Sequence, residues 1–145
     1  MPIVEFPYRP VPIGPTEPFP NGQIALRPMV IANLTADTGR NLRCIVLLDS
    51  GADSCVFPTS FASVLGLDIL RMKRQLTGGV GTSANQTYYD FLDIDLGSGI
   101  RFRSYVGFIP GLDAQGMGLL GQDGFFSYYN VSFYQRQLRF TIETT

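Results

Sequence analysis

The chain has 145 residues, 45% of them hydrophobic and 16% charged, with 16 glycines, which fits one compact, strand-rich domain and excludes a disordered chain. Eleven basic against twelve acidic residues leave a net charge of −1, so there is no electrostatic footprint for nucleic acid or for an anionic membrane surface. Histidine is absent, which removes Ser-His and Cys-His nucleophilic machinery together with the common zinc sites, and we expect neither a metal nor a cofactor.

No apolar run is long enough to cross a bilayer, and Met1-Pro2-Ile3-Val4-Glu5 has neither a basic start nor an apolar continuation of the export-signal kind. The expectation is a chain without a membrane span. Its two cysteines, Cys44 and Cys55, are no disulfide framework and read as reduced, buried thiols, which favours a cytoplasmic setting.

Eight of the ten prolines lie at or before Pro28, so residues 1–22 are expected as an extended, polyproline-like arm rather than part of a sheet. A single folded domain is expected over residues 23–145. Short β-rich runs then alternate with turn signals: Ile24 to Thr35, a turn at Asp37-Thr38-Gly39, Leu42 to Asp49, and Ser54 to Phe57. Thr59 to Gly66 departs from this pattern, with Phe61, Val64 and Leu65 at helical spacing, a hydroxyl cap and a glycine stop, and predicts one or two helical turns. Strands resume over Ile69 to Leu76 and over Thr87 to Leu96, where Tyr88, Leu92, Ile94 and Leu96 share one face and Asp93 and Asp95 the other. Gly97-Ser98-Gly99 turns this strand into Ile100 to Ile109. Beyond a loop at Pro110 to Gln115 come the apolar run Met117 to Leu120, a second short helix through Phe125 to Tyr129, and a closing hairpin of Val131 to Tyr134 with Leu138 to Ile142. The spacing argues for an all-β fold, a closed or folded barrel with one or two short helices.

The chemistry concentrates at Asp49-Ser50-Gly51-Ala52, where the apolar strand Cys44 to Leu48 delivers one carboxylate into a tight turn. Alone, such an aspartate also fits an ordinary turn residue. The chain carries this triplet once, yet aspartic chemistry makes an acid and a base together by sharing a proton between two adjacent carboxylates, so the partner is expected from a second copy of the chain. Asp53, Asp90, Asp93 and Asp95 read as solvated or capping residues instead. Gly116-Met117-Gly118-Leu119-Leu120-Gly121 satisfies the dinucleotide-binding glycine spacing, but too little chain follows for the strand-turn-helix unit that would give it meaning.

In order along the chain, Leu47-Leu48-Asp49-Ser50-Gly51-Ala52, then Gly78-Gly79-Val80-Gly81-Thr82, then Gly118-Leu119-Leu120-Gly121 resemble the active-site loop, the flap and the supporting segment of the retropepsin-like aspartic proteases. This resemblance spans roughly residues 24–143. It implies a homodimeric aspartic endopeptidase in which Asp49 supplies one carboxylate and Ser50 bonds to the neighbouring subunit's loop, while Gly51 permits a close backbone approach beside Ala52. Gly78, Gly79, Val80 and Gly81 would form a flap that opens for a polypeptide substrate and closes over it. The activity profile would be bell-shaped in pH because the pair titrates jointly. The same motifs also fit an alternative of a different class, a non-catalytic protease-like module that dimerises or binds extended peptides. One position departs from the retroviral pattern: Gln122, not arginine, follows Gly121, which leaves Asp53 without the usual cationic partner.

Overall fold

The computed structural model describes residues 2–77 and 85–144. Alternation of period two builds its largest sheet. In β4 (Met29–Thr35) Ala32 and Leu34 are buried, in β5 (Asn41–Leu48) Val46 and Leu48, and in β8 (Asn85–Gly97) Leu92, Ile94 and Leu96, with Asp93 and Asp95 on the opposite face of β8. Together with β6 (Val56–Pro58), β7 (Lys73–Thr77), β9 (Ile100–Ile109) and β10 (Gly118–Leu120) they form a sheet in the order β4-β5-β10-β6-β9-β8-β7. β4 also pairs with β8, from Asn33↔Asp95 to Thr35↔Asp93, so the sheet closes into a barrel and β7 projects from β8. The barrel is filled by fully buried Phe57, Leu65, Phe108 and Leu120, each worth roughly 1.5–3 kcal/mol on leaving water.

Two parallel pairings position the site. β10 runs alongside β5, from Gly118↔Val46 to Leu120↔Leu48, and β6 runs alongside β9 from Val56↔Gly107 to Pro58↔Ile109. The strand that ends at Leu48 is thereby flanked by a segment some seventy residues later in the chain.

The helix α1 (Thr59–Val64) forms where the spacing predicts it, but it starts differently. Pro58 occupies the cap position and offers no side-chain bond; Asp113, from the loop after β9, accepts from Thr59 Oγ1 at 2.7 Å and from the Ser60 N–H at 3.2 Å. Its end follows the glycine rule. Gly66, at φ +72°, donates to Ser63 O while the Leu67 N–H donates to Ala62 O, a Schellman closure.

The proline-rich segment corrects an expectation. β1 (Ile3–Pro7) pairs antiparallel with β12 (Arg139–Glu143), which also pairs with β11 (Asn130–Tyr134), and β2 (Arg9–Ile13) pairs with β3 (Gln23–Arg27). Residues 3–7 and 9–13 are therefore strands of two sheets, not a polyproline arm. Pro10 and Pro12 sit two residues apart in β2, so their missing N–H groups fall on the same edge of a strand that has only one neighbour, where no ladder bond is lost. Phe6 stacks on Phe140 at 5.2 Å between ring centres, with Tyr8 also against Phe140, and this aromatic contact docks the start of the chain on its last strand.

The second predicted helix is also absent. Phe126 and Ser127 donate their N–H groups to Gly121 O and Gln122 O, five residues back, in a run of turns. Gly124 at φ +98° breaks the right-handed path at its beginning, and packing of buried Phe125 against Phe102 and Tyr129 sets the rest.

Candidate active site

Asp49 follows the last residue of β5 and is held before its side chain does anything. Its N–H donates to Leu120 O at 2.9 Å, while the Leu48 N–H donates to Pro28 O at 3.0 Å, so the strand end is fixed from both sides. The next residues close a tight turn: the Ala52 N–H donates to Asp49 O at 3.1 Å, and the Gly51 N–H donates to Asp49 Oδ1 at 3.0 Å. Asp49 is half-buried, Ser50 and Gly51 are exposed. The structure thus brings Asp49, Ser50, Gly51 and Ala52 into one turn at the end of a barrel strand.

Residues 121–123 zip that turn onto the barrel. The Gln122 N–H donates to Ala52 O at 2.8 Å, the Asp123 N–H to Asp53 O at 2.9 Å, and the Gln122 side-chain amide Nε2 to Ser50 O at 2.7 Å. Gly121 has to be glycine for spatial reasons, since a Cβ would strike the Ser54 carbonyl oxygen and lie 2.7 Å from Ala52 O. Beneath it, the Cys55 Sγ accepts from the Gly121 N–H at 3.5 Å. Burial pushes the Cys55 thiol up from its ordinary range, with the Gly121 N–H working against it. Both cysteines are free thiols, Cys55 buried and Cys44 half-buried.

Beside the turn lies a cleft of about 660 Å³. It is lined by Ala52, Asp53 and Asp123, by Lys73 on β7, and by Tyr89 and Tyr105, whose rings stack at 5.4 Å. Burial pushes the Tyr89 phenol up, against a hydrogen bond with Ser54. Asp49 is not among the residues lining this cleft. β7 and β8, paired from Lys73↔Tyr89 to Thr77↔Asn85, contribute Lys73, Arg74, Gln75, Thr87 and Tyr89 to its lining. Gly78, Gly79, Val80 and Gly81 fall between those strands and lie outside the described residues.

Other acids are engaged elsewhere. Asp93 and Asp37 meet Arg103 at 3.4 and 2.9 Å, Asp95 meets Arg101 at 3.0 Å, and Asp113 caps α1. A hydrogen bond from Arg103 holds the Asp37 carboxyl below its usual range. Among the described residues no group of three or more His, Cys, Asp or Glu side chains is placed to hold a metal ion, and no helix is long and apolar enough to cross a membrane. The sequence singled out Gln122 only for not being arginine. Its bond to Ser50 O was not foreseen, and its place directly after the glycine that supports the turn was the available signal.

No protein-family model matches the chain, and no curated protein matches it. Among solved structures it is similar to a retropepsin-like aspartic protease from Rickettsia conorii, with a TM-score of 0.56 and 15% identity over 98% of this chain and 95% of that one. It is also similar to the EIAV protease in complex with an inhibitor, at 28% identity and a TM-score of 0.44 over 66% of this chain and 82% of that one. The first of these likenesses establishes a retropepsin-like all-β fold.

Proposed function

We propose that this chain of retropepsin-like fold is an aspartic endopeptidase that hydrolyses peptide bonds of extended polypeptides as a homodimer, each subunit contributing Asp49. The observation that supports this most is the turn itself, which fixes a half-buried carboxylate at the end of a barrel strand with the Gly51 N–H on one of its oxygens. One carboxylate cannot serve as acid and base in the same step. A two-fold axis beside the turn supplies the second, and the two then share a proton.

The ionised member of the pair takes a proton from water as the water oxygen attacks the scissile carbonyl carbon, and the protonated member donates to the carbonyl oxygen. Collapse of the tetrahedral species breaks the C–N bond as the amine nitrogen takes up a proton, and no covalent bond to the protein forms. Ser50 bonds across the two-fold to the other subunit's turn. The polypeptide lies extended across the two-fold axis, over the paired Asp49 turns, held by main-chain hydrogen bonds, and Gly78, Gly79, Val80 and Gly81 cover it as a flap.

The test is digestion of a peptide library from acidic to neutral pH, with pepstatin-type inhibition as control. Asp49→Asn and Asp49→Ala are expected to lose at least about a thousandfold in rate with unchanged melting temperature. Wild-type rates in either variant refute the assignment, as does full activity from a species that sediments as a monomer at every concentration. A wild-type protein that cleaves nothing across this range would instead be a non-catalytic dimerising or peptide-binding module.

A further inference from the structure

We infer that Gln122 is a positioning residue for Asp49, acting through the peptide plane between Ser50 and Gly51. Residues 49–52 form a β-turn closed by the Ala52 N–H on Asp49 O, with Ser50 and Gly51 at its centre. The central plane of such a turn has two stable settings, types I and II, related by a flip of roughly half a revolution, and a glycine in the third position is what makes type II accessible. Gly51 is not at positive φ, so the turn is not in the type II setting.

Both ends of that one plane are bonded. Its carbonyl, Ser50 O, accepts from Gln122 Nε2 at 2.7 Å, and its N–H, on Gly51, donates to Asp49 Oδ1 at 3.0 Å. A flip breaks the two bonds together, turning the carbonyl away from Gln122 and the N–H away from the carboxylate. Gln122 is anchored for this task, because its own N–H is fixed on Ala52 O at 2.8 Å and its carbonyl accepts from the Ser127 N–H at 2.9 Å.

The turn has a physical need for such a brace. A Cβ at position 51 would come within 3.2 Å of Asp49 Oδ1, tighter than an ordinary contact, so a side chain there would press on the carboxylate. Glycine leaves that approach open but also frees the plane to flip. Gln122 removes the freedom that Gly51 introduces, and it does so from within its own chain.

The catalytic consequence rests on the endopeptidase reading; the geometric one does not. Gln122→Met keeps the length of the side chain and removes the donor, and Gln122→Glu keeps the shape but faces Ser50 O with an acceptor. Gln122 is exposed, so both variants are expected to fold. Amide hydrogen exchange is read at Gly51, with the Ala52 amide as reference for the turn as a whole, alongside kcat and KM. Loss of one exposed hydrogen bond predicts about fivefold faster exchange at Gly51 in Gln122→Met, more in Gln122→Glu, with Ala52 unchanged. We expect kcat to fall by a similar factor while KM and the melting temperature stay constant. Unchanged Gly51 exchange in both folded variants overturns the inference, and faster exchange with unaltered kcat overturns its catalytic half. Exchange is measurable whether or not the wild-type protein cleaves peptides, so an inactive wild type counts only against the endopeptidase reading.

Discussion

The barrel and the ribbon of β2 and β3 are built from similar apolar residues, yet they bury them differently. In the barrel Leu34, Leu92 and Ile94 are sealed from solvent, whereas in the ribbon Ile24 is 73% exposed and Leu26 39%. The ribbon has only two strands, so each has a single neighbour, and an isolated pair of this kind is marginal in water. Closure, not composition, decides which apolar strand becomes core. The Asp49 turn sits on the closed part, where every strand around it has a partner on each side.

That contrast can be broken or sharpened by substitution, and the largest effect is expected at Gly121. A methyl there meets backbone oxygens of Ser54 and Ala52 that cannot move without unzipping the turn, so Gly121→Ala should destabilise by about 3 kcal/mol in denaturant melts. Wild-type stability would mean that the turn is not clamped to the barrel. Asp113→Ala removes the acceptor for Thr59 and Ser60 at the start of α1 and should cost about 1 kcal/mol, which a chemical melt resolves.

A smaller effect, specific to pH, is expected at Cys44 on β5. Burial raises its thiol from an ordinary 9.0 to about 12, so the folded chain keeps a proton that the unfolded chain releases first. The stabilisation is complete below about pH 9 and is lost as the pH rises towards 12. Cys44→Ala should therefore flatten part of the alkaline decline seen in thermal melts of the wild type; an identical decline in both would contradict the burial of this thiol. Least of all, Ile24→Thr in the ribbon should change stability by no more than about 0.5 kcal/mol. A loss as large as that at Gly121 would erase the distinction between the two regions.

Much of the barrel was legible because its signals are local. Alternation along Tyr88 to Leu96, the Gly97-Ser98-Gly99 turn and the Gly66 stop each act within a few residues, and the strands and helix end where those signals place them. Asp49 and its turn were legible for the same reason. The proline-rich start was misread because proline argues against a central strand but not against an edge, and only the pairing partner reveals which is present. The helix expected over Phe125 to Tyr129 failed because its aromatic spacing serves side-chain packing against Phe102 rather than a helical face.

The sequence by itself determined the strand pattern of the barrel, the short helix and the carboxylate poised at the end of an apolar strand, since each depends on neighbours in the chain. Only the tertiary structure decided what braces that carboxylate, because the bond from Gln122 to Ser50 spans 72 residues, the cap from Asp113 to Thr59 spans 54 and the ion pair from Arg139 to Glu5 spans 134. A hydrogen bond between such distant positions leaves no periodicity in the chain; it exists because barrel closure and the parallel pairing of β10 with β5 bring the two groups within reach.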